Sequence, residues 1–223
     1  MNAYIDDLSK RLELVRDSSR VTAMENYMKN KFPFLGVMSG PRKEVMRAWK
    51  ASLPSLTRSE SWDLIRELWQ KEEREYHQLA LDWMLTWNIK SYEKSDIEHI
   101  YFVLSNQCWW DTIDVIAVHI VGKYAMKFPE EMPDIIAEWI AHPSFWLNRT
   151  CLIYQLKFKE KTDLGLQQGY IQTLKWNKEF FIQKAIGWSL REVSKWNPEW
   201  VRAVVQQEEL KGLAYREAMK YVP

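Results

Sequence analysis

Helix breakers are scarce in this chain: 223 residues hold only seven glycines and eight prolines. That leaves little room for a turn-rich architecture. Combined with long segments of 3.6-residue apolar period, it argues for helices throughout. Cysteine is scarcer still. Cys108 and Cys151 both fall in segments that read as apolar helix, with no CxxC and no Cys/His cluster. A disulfide framework and a zinc site are therefore not indicated. No stretch approaches the ~18 consecutive apolar residues of a membrane span. The opening MNAYIDDLSKRLELV is charged and amphipathic, without the apolar core of a signal peptide. A reduced, soluble, cytoplasmic protein is the expectation. Charge of one sign is missing too: 31 Lys and Arg oppose 30 Asp and Glu, so net charge announces no polyanion partner. P-loop, GxGxxG, nucleophile-elbow and HExxH motifs are all absent. His77, His99, His119 and His142 are scattered and read as structural or surface residues.

Tryptophan, by contrast, is abundant, with thirteen copies. Most are packing residues, since an indole fills space between helices well. Function is therefore sought at particular positions and not in the count.

Five segments overlay: REYHQLALDWM from Arg74, CWWDTIDVIAV from Cys108, FWLNRTCLIYQ from Phe145, FFIQKAIGWSL from Phe180 and LAYREAMKYVP from Leu213. Their successive offsets are 34, 37, 35 and 33 residues. Second amphipathic runs such as IAEWIAHP and WVRAVVQQEEL follow some of them. A helix-pair period near 35 marks an α-solenoid; it is shorter than the ~40–47 residues of HEAT units. A tetratricopeptide spacing is nearer, but its W-LG-Y signature is missing. Breaks are predicted at Pro54, Pro129, Pro133, Pro143, Pro198 and across Asp163 to Gly169. No Gly/Ser-rich linker interrupts the chain. The reading is one all-α domain over residues 1–223, a curved α-solenoid with one set of helices lining a concave surface. At the fifth position of the first four segments stand Gln78, Thr112, Arg149 and Lys184. Long polar side chains there point to the lining of a groove.

Between Phe145 and Arg191 eight basic residues face three acidic ones. Segregation of this kind can produce one basic face on a neutral protein, although ordinary solvated helix faces are an equal alternative. Trp110 and Asp114 are four residues apart, so on a helix they share a face and set a carboxylate beside an indole plane. That pairing suits a cationic group. Arg149 and Lys184, on later helices, are candidates to grip phosphate. Together these features describe a site for a positively charged group carried on a polyanion, and alkylated DNA fits. Asp111 is a separate matter, a helix cap or first-turn acid.

WWDTID, FWLNRT, KEFFIQKAIGWSLRE and NYMKNKFPFLGV closely resemble the AlkD-type DNA alkylation repair glycosylases, built from HEAT-like repeats. The likeness runs in order from about Tyr27 to the REAMK segment at Arg216. It implies a solenoid of HEAT-like helical repeats. It also implies excision of N3- and N7-alkylated purines from duplex DNA without metal or cofactor. Asp114 becomes the catalytic carboxylate, Trp110 and Trp188 the aromatic walls, Arg149 the phosphate-gripping cation near the lesion, and Tyr27 the cleft's edge. Ser39, Arg42 and Lys43 match a helix start that contacts the DNA backbone, and Lys184 and Lys178 of the basic segment join the DNA-binding set. A monomer is expected, acting at the nucleoid. Two readings compete: a noncatalytic binder of DNA structures on the same scaffold, and a peptide-gripping repeat with a Trp-lined cage for a methylated ammonium. The four central residues oppose the first and the basic segment the second.

Overall fold

Side-chain caps set some of the helix starts, at Asp17, Thr57, Asp163 and Asn197. The computed structural model describes residues 2–222, and among them every regular element is helical. They form two compact units, Met1–Trp87 and Asn88–Pro223.

The first unit holds α1 (Asn2–Glu13), α2 (Ser18–Tyr27), α3 (Ser39–Ser52), α4 (Arg58–Trp69) and α5 (Arg74–Leu85). Asp17 caps α2 by accepting the Ser19 N–H, and Thr57 with Glu60 closes a reciprocal capping box on α4. Each satisfies backbone donors that the helix itself leaves open. α5 packs on α3 and α4, and α1 on α3. Tryptophan supplies much of this core: Trp49, Trp62 and Trp69 are fully buried. Trp49 meets Trp83 edge-on at 5.5 Å and donates its indole N–H to the Tyr4 carbonyl at 2.9 Å, giving its one polar atom a partner.

The connection between α2 and α3 is pinned from below. Glu75, wholly buried at the start of α5, accepts the backbone N–H groups of Leu35, Gly36 and Val37 at 2.9–3.1 Å. Consecutive N–H groups converging on one carboxylate form a small anion nest. Gly36 makes it possible, with φ +85° and a Cβ position only 2.0 Å from the Asp17 carbonyl oxygen. A side chain there would meet backbone.

The second unit holds α6 (Asp96–Ser105), α7 (Trp110–Val115), α8 (Gly122–Lys127), α9 (Met132–Ala141), α10 (Phe145–Ile153), α11 (Leu164–Leu174), α12 (Phe180–Ser194), α13 (Pro198–Gln207) and α14 (Gly212–Ala218). α7 passes into α8 through a π-wound stretch, Ile116–Val121, a rare winding that often lies beside functional residues. α12 is the packing centre and touches α10, α13 and α14. Its close approach to α14 depends on Gly187. A Cβ there would lie 2.4 Å from the Glu217 Cβ and 2.8 Å from the Ala214 carbonyl oxygen.

The repeat register is real. α5, α7, α10, α12 and α14 each begin within two residues of an aligned segment, and the architecture is that of a helical-repeat α-solenoid. Pro133 and Pro198 sit in the first turns of α9 and α13, where a missing N–H costs nothing. Two local expectations change. Asp163 to Gly169 is no break: Asp163 caps α11 by accepting the Leu166 N–H, and Gly165 and Gly169 lie inside that helix. Cys108 lies ahead of α7, outside any helix.

Candidate active site

Three helices of the second unit carry the predicted central residues. α7 starts at Trp110 because Trp109 is extended, with φ −155° and ψ 159°. The Trp109 carbonyl accepts the Ile113 N–H and the Thr112 hydroxyl. The Trp109 indole is anchored edge-on between Trp146 at 5.7 Å and Phe181 at 5.5 Å. Trp110 and Asp114 therefore occupy the first and fifth positions of one short helix. Asp111 is a first-turn acid, where a negative charge complements the helix N-terminus.

Asp114 meets Arg149 of α10 in a two-point clasp. The Arg149 Nε donates to Oδ1 at 2.7 Å and Nη2 to Oδ2 at 2.9 Å. The third amino group, Nη1, donates to the Phe181 carbonyl at the start of α12. The guanidinium carbon also lies 5.8 Å from the Phe181 ring and 6.0 Å from the Trp188 ring. Arg149 is only 3% exposed, whereas the Asp114 side chain keeps 19%. The fork geometry fixes the orientation of the carboxylate in a way that a single lysine contact cannot.

Asp114, Arg149 and Trp188 thus come together, with Trp110 on the same short helix as Asp114 and both tryptophans half-buried. The family likeness implies an open, phosphate-gripping cation at Arg149; in this structure the side chain is nearly buried and faces inward. Its hydrogen bonds run to Asp114 and the Phe181 carbonyl, all within the protein. Lys184 is likewise engaged, donating to Glu217 on α14 at 2.6 Å. Lys178 is exposed in the connection ahead of α12. The fifth-position series does not line one open surface. Thr112 is fully buried, and Gln78 accepts a hydrogen bond from Arg42.

The other predicted residues lie in the first unit. Tyr27, at the end of α2, is 66% exposed and borders a hollow of about 630 Å³ with Met24, Met38 and Gln78. Ser39 and Lys43, the first and fifth residues of α3, are exposed. Arg42 folds back instead, reaching Gln78 and, at 3.2 Å, Asp82.

Sequence reasoning missed Trp109, Phe181 and Glu217. Glu217 stands at the fifth position of the segment from Leu213, so extending the aligned series by one unit was enough to find it. Phe181 carried no comparable signal: its carbonyl takes Arg149 and its ring packs on Trp109 and Arg149, contacts between segments that no local pattern shows.

Comparisons agree with this architecture. A model of the DNA alkylation repair enzyme family matches residues 8–222. A solved structure, "Predicted DNA alkylation repair enzyme from Enterococcus faecalis", superposes with a TM-score of 0.85 at 32% identity. The match covers 93% of this chain and 96% of that one. A comparison with curated proteins finds no match.

Proposed function

The chain belongs to the DNA alkylation repair enzyme family, and we propose that it is a monofunctional glycosylase releasing cationic N3- and N7-alkylated purines from duplex DNA. The observation that carries this reading is the Asp114–Arg149 clasp: a carboxylate locked in orientation by a buried guanidinium, with part of its surface still open. Alkylation at N3 or N7 gives the purine a formal positive charge, so the base leaves without needing a strong general acid. Cleavage of the glycosidic bond builds oxocarbenium character on the deoxyribose. A preorganised carboxylate stabilises that charge and orients the attacking water. Glycosidases solve the same electrostatic problem with carboxylates.

Trp110 and Trp188 supply indole faces for the sugar and the cationic lesion, with cation–π attraction of about 1–2 kcal/mol in a desolvated cleft. Arg149 serves as a positioning residue for Asp114. Exposed cations such as Lys178 and Lys43 contact phosphates, which place the duplex without reading its sequence. The reaction belongs to base excision repair and leaves an abasic site.

One observation favours a second reading, a noncatalytic binder of DNA structures: a carboxylate already neutralised by an arginine has less charge to offer a transition state. Release of free base from duplex DNA carrying 7-methylguanine, by wild type and Asp114→Asn in parallel, separates the two. Release by wild type alone supports the glycosylase. Equal release by both removes Asp114 from the chemistry. Absence of release by either, with duplex binding intact, establishes the noncatalytic reading.

A further inference from the structure

α12 presents Lys184, Trp188 and Arg191 at spacings of four and three residues, which places them in one stripe of the helix. The middle member is the proposed aromatic wall. Both flanking cations are held by one acid: Glu217 of α14 accepts from Lys184 at 2.6 Å through Oε1 and from Arg191 through Oε2. The two helices are close because Gly187, inside the stripe, has no side chain to keep α14 away. The arrangement is not buried. Lys184 keeps 38% of its side-chain surface, Arg191 19% and Glu217 17%, so the lysine stays accessible from solvent. The hydrogen bond from Lys184, with Arg191 and Lys220 nearby, holds the Glu217 carboxyl below the usual glutamate range. The acid is therefore charged whenever the protein meets DNA near neutrality.

A duplex-binding surface gains affinity for every phosphate it neutralises, damaged or not. An internal anion facing two cations beside the reactive wall cancels part of that indiscriminate attraction. We propose that Glu217 is a specificity-determining residue that masks Lys184 and Arg191, keeping the grip of α12 on undamaged backbone weak. Recognition then depends more on the cationic lesion facing Trp188 and Asp114. The inference rests on the DNA-glycosylase reading above and adds to it a residue that touches neither lesion nor sugar.

Salt dependence provides the test, since its slope counts the phosphates neutralised, at about 0.9 per phosphate on B-form DNA. Binding of an undamaged duplex is measured against salt for wild type, Glu217→Gln, Lys184→Gln and the double variant, with thermal unfolding as a check on folding. Glu217→Gln is expected to bind undamaged duplex about tenfold more tightly at low salt, with a slope steeper by about one to two. Adding Lys184→Gln is expected to reverse about one unit of that gain. Undamaged competitor DNA should then inhibit base release by Glu217→Gln more than by wild type. An unchanged slope in a folded Glu217→Gln overturns the proposal. Should that variant fail to fold, a variant carrying both Lys184→Gln and Arg191→Gln decides: with Glu217 offsetting one of the two cations the slope falls by about one unit, whereas a fall of about two, or none, overturns the proposal. A wild type without affinity for duplex DNA overturns the glycosylase reading together with this inference. A wild type that binds, with variants that do not differ from it, removes the masking alone.

Discussion

Each unit of the molecule buries an arginine beside an acid, and the two clusters are finished differently. In the first, Arg74, Glu75 and His77 are all 0% exposed. Glu75 spends its lone pairs on three backbone N–H groups, and the Arg74 guanidinium lies 3.9 Å from the Phe32 ring centre. Arg74 also approaches the His77 Nδ1 at 3.0 Å. An arginine is always a donor, so Nδ1 must accept. That places the imidazole proton on Nε2, which donates to the Lys71 carbonyl at 2.9 Å. Each of these side chains finds its partners within the protein. In the second, Arg149 is equally buried and equally committed, yet its partner Asp114 retains surface. A completed polar cluster holds structure, whereas an acid that keeps surface can also meet a ligand, as the proposed base release requires.

The largest effect separating the two belongs to Asp114. Asp114→Asn should lower the rate of base release by at least 10²–10³-fold, the typical loss when one preorganised electrostatic group is removed. Its denaturation midpoint should fall as well, because the nearly buried Arg149 guanidinium loses its charged partner, so base release is compared on folded protein. The converse variant is Glu75→Ala. It strands three backbone donors in a buried site and is expected to cost about 3 kcal/mol of stability in urea unfolding, with base release changed little where the protein remains folded. A Glu75→Ala variant of wild-type stability would break the comparison from its structural side.

The closed cluster also leaves a signature in pH. Burial, reinforced by the Arg74 charge, pushes the His77 pKa down from 6.5 to about 4. Above pH 6.5 the imidazole is neutral in both folded and unfolded chains, and His77 contributes no slope. As pH falls from 6.5 towards 4, the unfolded chain takes up a proton that the folded one refuses. Stability should then drop by about 1.4 kcal/mol per pH unit, or roughly 3 kcal/mol in all. Urea midpoints across this window measure the slope, and His77→Asn should flatten it. A wild-type profile flat from pH 7 to 5 would show that the cluster admits the proton.

How much of this was legible beforehand follows from range of interaction. The helices, the repeat register and the shared face of Trp110 and Asp114 depend on spacings of three to five residues and on a period near 35, all visible in order along the chain. The clasp depends on residues 35 apart. The repeat spacing puts Asp114 and Arg149 in neighbouring repeats, and the family likeness implies separate tasks for them, one on sugar and one on phosphate. Nothing local to FWLNRT says that its guanidinium turns inward. Lys184 is a parallel case: its partner Glu217 lies 33 residues on, beyond any local pattern. Asp163 to Gly169 looked like a break because two glycines outweighed an Asp cap in the local pattern. Once α11 forms, that aspartate side chain accepts an N–H of its first turn and the glycines are carried inside the helix.

The smallest of these effects distinguishes orientation from charge. Arg149→Lys keeps a cation beside Asp114 but loses the planar fork, so one ammonium replaces two parallel N–H contacts and must also leave the Phe181 carbonyl. If Arg149 works by fixing the angle of the carboxylate, kcat for base release should fall about tenfold, corresponding to about 1.4 kcal/mol, while KM and the salt slope for duplex binding stay near wild type. A phosphate-contacting arginine gives the opposite division, because a lysine still meets a phosphate as a point charge. Its replacement then leaves kcat intact and shifts binding. Measuring kcat, KM and salt slope on one variant therefore decides whether the open cluster is built like the closed one, with its arginine turned wholly inward, or whether that arginine turns outward when DNA arrives.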